Sequence, residues 1–340
     1  LNFLTAAQAA RPLDVTALEN ALVDLLVRAE DSDLEELGMR KGIMQLVSSE
    51  EQVRALANLG KLTTEVELGG SAANALRGMA LLDARVSYSS CVGHDEYGKA
   101  FSSRLEELGI NNMLAQVEGA PTGTCLVVVT PDGERTLNTH LGACLHYSRA
   151  HVPEEDIRRS KIFFTTGYVW DTPSQIEAVE HALQVARNND VKVAIDVADP
   201  FVVQRWGDRL RELLETRAHV VFANALEAQM LVGAQGAEAA RLLGEKVELV
   251  VVKDGAQGAY VCHRGEVTHV PTEKVRVTDT TGAGDMFAAG FLYGLTHGLD
   301  LPTCGRLATL LASDTITHMG VRLSPDVPER AKKLLSGAGR

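Results

Sequence analysis

The sequence holds no apolar run near the roughly 20 residues that a membrane-spanning helix requires. Its first twelve residues show no basic segment followed by an apolar one, so no secretory leader is expected. Only five cysteines occur (Cys91, Cys125, Cys144, Cys262, Cys304), scattered and without CxxC spacing. That pattern predicts reduced core thiols in a cytoplasmic protein rather than a disulfide frame or a zinc site. The ten histidines form no HxxxH or His/Cys cluster, so no transition metal is expected. Basic residues are in deficit, 33 Lys and Arg against 45 Asp and Glu for a net charge of −12. Nucleic-acid and membrane-surface roles need a basic face and are disfavoured, although a few local donors still suffice to hold a phosphate. There is no repeat of domain-building length and no low-complexity tract. A GxGxxG after an early strand is also lacking, which argues against a dinucleotide-binding oxidoreductase.

What is present reads as a globular α/β chain. At 340 residues, 45% hydrophobic and 23% charged, it can bury a large core. From about residue 160, β-rich apolar runs alternate with amphipathic helical patterns. Strands are expected at 161–166, 191–196, 219–223 and 247–253, with helices at 173–188, 202–214, 224–231, 283–297 and 301–318. Such alternation predicts a mostly parallel sheet covered on both faces. The first half differs. Residues 13–24 read as one apolar strand, 71–82 as a helix and 39–48 as a short strand. Residues 124–130 and 134–139, joined by Pro131-Asp132-Gly133, read as a β-hairpin. One domain over 13–335 follows, with a small β-sheet lid formed by about 35–50 and 115–145.

The chemistry concentrates in Asp279-Thr280-Thr281-Gly282-Ala283-Gly284-Asp285, expected to follow a strand at 274–278 and to open a helix. Gly282 and Gly284 have no Cβ, so backbone N–H groups can approach a ligand closely. Free N–H donors at a helix start suit an anion, such as the charge developing on a transferring phosphoryl group. Asp285 beside them can accept the proton of an attacking hydroxyl.

This string, continued as MFAAGFLYGL, resembles the C-terminal signature of the ribokinase-like (PfkB) carbohydrate kinases, and Gly69-Gly70-Ser71-Ala72-Ala73-Asn74 resembles that family's GGxxxN segment. The resemblance implies a three-layer α/β sandwich with a lid and an ATP-dependent phosphotransferase acting on an alcohol. It implies Asp285 as base, with Gly282, Ala283 and Gly284 as anion hole. Asp24, Gly69, Gly70 and Asn74 would bind the acceptor, and Asn224, Lys253, Gly255 and Gly258 would bind ATP. Asn224-Ala225-Leu226-Glu227 matches the family's NxxE, which implies Mg²⁺ held through water by Glu227. The same four residues also read as a helix capping box. Lys253 stands where many members carry Thr, and meets phosphate or lies solvated. Asp279, Thr281, Gly320 and Ser324 match a monovalent-cation site, with K⁺ as the implied ion. The family leaves a homodimer open. Glu19 departs from the pattern, replacing a glycine at the acceptor side.

Asn20-Ala21-Leu22-Val23-Asp24, 138–144 and Gly167-Tyr168-Val169-Trp170-Asp171 resemble the adenosine-kinase-like branch. A purine nucleoside is the expected acceptor. Tyr168 and Trp170 then stack its base or simply pack the core. A sugar of the fructose or ribose type is the second reading, and a non-catalytic binding module the third.

Overall fold

The computed structural model describes residues 3–60, 64–132 and 134–337; Leu1 and the turn residue Gly133 lie outside the described residues. Its main sheet has nine strands in the order β14-β13-β12-β11-β10-β9-β1-β5-β6. These are β1 Leu13–Leu18, β5 Val86–Gly93, β6 Asn111–Val117, β9 Ser160–Thr166, β10 Lys192–Asp196, β11 Val220–Asn224, β12 Leu249–Lys253, β13 Ala259–His263 and β14 Glu266–Val270. All neighbours pair in parallel except β12–β13 and β13–β14, where the reversed strand β13 makes an antiparallel edge. β9 is buried along its whole length. Phe164 joins the core on one side of the sheet and Phe163 the core on the other, the mark of a strand covered on both faces.

A second sheet of five strands has the order β3-β8-β7-β2-β4: β2 Leu22–Arg28, β3 Met44–Leu46, β4 Thr64–Leu68, β7 Gly123–Val129 and β8 Arg135–His140. The expected hairpin is β7–β8, antiparallel as read. The expected single strand over 13–24 is corrected. The chain leaves the main sheet after Leu18, and Glu19, Asn20 and Ala21 carry it across to β2 of the small sheet. Asp24 therefore sits inside β2, paired opposite Glu67 of β4, and not at the end of the first strand. Burial hid this break: Glu19 and Asn20, the polar pair at which it falls, are buried with the strands on either side. The small sheet also takes β2 and β4, beyond the 35–50 and 115–145 segments, while β6, whose end overlaps the latter, belongs to the main sheet. No strand forms at 274–278; those residues are irregular.

The chain runs outward from β1 through β5 and β6, then returns past β1 to begin β9. That reversal opens a crevice beyond the carboxyl ends of the parallel strands, where open α/β sheets bind ligands. All five cysteines are buried and free. No helix among the described residues is long and apolar enough to cross a membrane.

Candidate active site

The residues that end the parallel strands meet in one cavity of about 1040 Å³: Glu19 and Asn20 after β1, Tyr168 after β9, Asp196 on β10, Asn224 on β11 and Lys253 on β12. The small sheet closes one side with Asp24, Arg135 and Leu137, and the 280–285 turn closes another.

Gly282 starts the helix Ala283–Thr296 from a left-handed backbone, φ 71°. A Cβ there would lie 2.6 Å from Val321, so conformation and space both demand glycine. The first-turn N–H groups of Gly284 and Asp285 have no carbonyl within the helix to bond. Lys253 brings its ammonium to the same place, since a Cβ on Gly284 would stand 3.1 Å from Lys253 Nζ. Lys253 is paired with Asp196 at 2.8 Å, so it is not a solvated strand end.

Asp285 points back across the cavity to the helix Ser71–Ala80. Asn74 Nδ2 donates to Asp285 Oδ2 at 2.9 Å. Burial pushes the Asp285 carboxyl up to about 6; the Asn74 bond and Lys253 pull it down, and Asp196 pushes it up. A carboxylate so tuned is ionised at neutral pH, yet close enough to it to hold a proton. Asp24 is pushed up to about 7 by burial and then by the charge of Asp285. Gly69 lies against it, for a Cβ at 69 would fall 2.3 Å from Asp24 Oδ1.

Glu19 has a definite place. Its Oε2 accepts from Ala72 N at 2.7 Å, supplying from another strand the cap that Gly70, the N-cap of that helix, lacks. At 3% exposure, burial pushes it up to about 8.

Asn224 and Glu227 form a complete capping box: Asn224 Oδ1 accepts from Glu227 N, and Glu227 Oε2 accepts from Asn224 N, both at 2.8 Å. Glu227 nonetheless lines the cavity with Asp196, and burial raises its carboxyl. Gly255 and Gly258 line it too, at either end of a short 3₁₀ turn.

Of the four expected monovalent-cation residues, three are brought together. Asp279 Oδ1 accepts from Thr281 N and Oγ1 at 2.9 and 2.6 Å, and Oδ2 from Gly320 N at 2.9 Å. Ser324 is engaged elsewhere, its N–H on Asp314 and its hydroxyl on His318. Thr281 Oγ1 also accepts from Arg135 Nη1 at 2.7 Å, tying β8 to the glycine turn.

Tyr168 lines the cavity, whereas Trp170 is packed in the core beneath Arg209. Phe201, Trp206 and Phe287 supply the other aromatic lining. As lining residues these, with Arg135 and Asp196, were not read from the sequence. Only Asp196 carried a signal, as an acidic residue closing a parallel strand. The buried Thr309 hydroxyl has no hydrogen-bond partner among the described residues and belongs to a residue that lines the same cavity.

The family profile described as pfkB family carbohydrate kinase matches residues 43–328. The chain belongs to this family. It is thus a phosphotransferase with an alcohol group as acceptor, in the adenosine-kinase-like branch of the pfkB kinases. An adenosine kinase from Sinorhizobium meliloti is 33% identical, with a TM-score of 0.88 over 94% of this chain and 99% of that one. A probable sugar kinase from Rhizobium etli is 31% identical, with a TM-score of 0.89 over 96% and 99%. A ribokinase of Haemophilus influenzae is 28% identical over 79% of this pfkB kinase and 87% of its own length.

Proposed function

We propose that this kinase transfers the γ-phosphate of ATP to the 5′-hydroxyl of adenosine or a related purine nucleoside. The observation that carries it is the 2.9 Å bond from Asn74 to Asp285, which puts an acceptor-binding amide and the base side by side. Asp24 and Asn74 grip the ribose 2′- and 3′-hydroxyls, a carboxylate accepting both and an amide donating and accepting. That leaves the 5′-hydroxyl facing Asp285. Asp285 takes its proton as the oxygen attacks the γ-phosphorus in line, and ADP leaves. The N–H groups of the Gly282–Gly284 turn and the Lys253 ammonium face the charge on the phosphoryl group. Tyr168, Phe201 and Trp206 give the purine an apolar wall, which a bare sugar would leave uncovered.

Glu227 and Asp196 are hard oxygen donors lining the cavity, a set that fits Mg²⁺ held through water. When bound, the ion supplies charge neutralisation on the phosphates. The side-chain oxygens of Asp279 are engaged within the protein, so K⁺ beside them would rest on backbone carbonyls.

Two measurements test the reading. Asp285→Asn is expected to keep ATP binding and lower kcat by about 10²- to 10⁴-fold; near-normal turnover removes the base. Competition among adenosine, inosine, ribose and fructose at equal concentration is expected to favour a purine nucleoside. A tenfold preference for either sugar, or about that, would overturn the nucleoside and leave the kinase.

A further inference from the structure

The 71–80 helix carries Asn74 and Arg77 three residues apart, on adjoining turns of one face. Arg77 is half-buried and spreads its guanidinium over three acceptors. Nη1 donates to the Leu68 carbonyl at 2.8 Å and to Asn74 Oδ1 at 3.0 Å, and Nη2 reaches the Val321 carbonyl at 3.4 Å. Asn74 in turn donates through Nδ2 to Asp285 Oδ2. An amide alone could present either end to the carboxylate. A guanidinium has donors and no acceptor, so only the amide oxygen can face it.

We propose that Arg77 is a positioning residue for the base: by holding Asn74 Oδ1 it turns the amide N–H onto Asp285 and fixes the carboxylate toward the acceptor. This rests on the reading of Asp285 as the base. The two carbonyls it also holds are the last residue of β4 and a residue packed on the Gly282 turn, so one fork joins the small sheet, the acceptor amide and the anion hole. A lysine keeps the charge but lacks the planar fork that serves three directions.

The consequence is electrostatic as well as geometric. Asp285 is faced by Glu19 after β1, Asp24 on β2, Ser71, Asn74 and Arg77 on the 71–80 helix, Asp196 on β10 and Lys253 on β12. Three of these are carboxyls that favour its protonated form. The Asn74 and Ser71 hydrogen bonds and Lys253 oppose them. An amide released from Arg77 can turn its oxygen to Asp285, removing one of these opposing contacts and adding repulsion.

The test is the pH dependence of kcat and kcat/KM in the full chain, with ATP and the acceptor chosen by the competition panel. Arg77→Met is expected to lower kcat about 10- to 100-fold, within the span of a displaced base, with the ATP KM nearly unchanged. Its acidic limb is expected to move to higher pH by about half a unit to one unit, with Arg77→Lys in between. Adding Arg77→Met to Asn74→Ala should then lower kcat much less than Arg77→Met does alone, since the path through the amide is already gone. Should Arg77→Met not fold, Arg77→Gln carries the same expectation. An acidic limb that stays in place in the folded variant, or additive losses in the double variant, overturns the assignment. Asp285→Asn is measured beside them. If it turns over normally, the base reading itself falls; if it is inactive while Arg77→Met keeps its limb, only the role of Arg77 falls.

Discussion

Gly69 and Asp24 occupy the same space to within a methyl group. A side chain at 69 would meet the Asp24 carboxylate at 2.3 Å, well inside contact distance, so Gly69→Ala must displace the carboxylate or the 69–70 turn. The expected result is an acceptor KM raised about tenfold or more with the ATP KM unchanged, read from initial rates with each substrate varied in turn. An unchanged acceptor KM would show that Asp24 does not hold the acceptor. Asp285 and its glycines could be read from the sequence because their chemistry is local: a carboxylate, two missing Cβ atoms and a helix start within seven residues. Arg135 could not, because its partner Thr281 lies far along the chain, and the pairing of Asp196 with Lys253 was hidden for the same reason. Glu19 was singled out as a misfit, and its use, accepting from the start of a helix 53 residues later, shows only in three dimensions.

Among the elements, the α/β alternation after residue 160 was legible because buried parallel strands make continuous apolar runs and surface helices make periodic ones. The small sheet was half legible. The β7–β8 hairpin announced itself through its turn, whereas β2 read as one strand with β1 across Glu19 and Asn20 and β4 carries three charged or polar residues in five. We propose that this sheet closes over the acceptor, since it meets the glycine turn through Arg135 and excluding water suppresses idle ATP hydrolysis. Hydrogen exchange of β2, β4, β7 and β8 is expected to slow when acceptor binds. Equal exchange at saturating acceptor would rule out closure. Arg322, which bonds Glu65 and Glu67, adds a second tie from the far loop to β4.

For the whole molecule, Glu19, Asp24 and Asp285 bury three carboxyls around one cavity, each pushed above its ordinary range, chiefly by burial. A group whose pKa is higher folded than unfolded contributes stability in full at low pH and loses it as pH rises through the folded value. Thermal stability of the ligand-free protein is therefore expected to fall between pH 4.5 and about 8, the span from the ordinary to the folded value of Glu19. Glu19→Gln should flatten the upper part of that fall in calorimetry. A parallel decline of wild type and variant to pH 8 would mean that Glu19 is already ionised in the folded chain. The strand order has a different kind of consequence. β1 pairs with β9, Leu13 opposite Ser160, and β2 with β7, Leu22 opposite Gly123. Each strand finds its first neighbour sooner, β1 in β5 and β2 in β4, but a chain leaving the ribosome keeps the second edge of both strands unpaired for about a hundred residues of synthesis or more. The glycine turn and Asp285 follow every strand of both sheets. A product terminated before residue 279 carries Asp24 and Asn74 without that turn, so by the proposed route it cannot transfer phosphate.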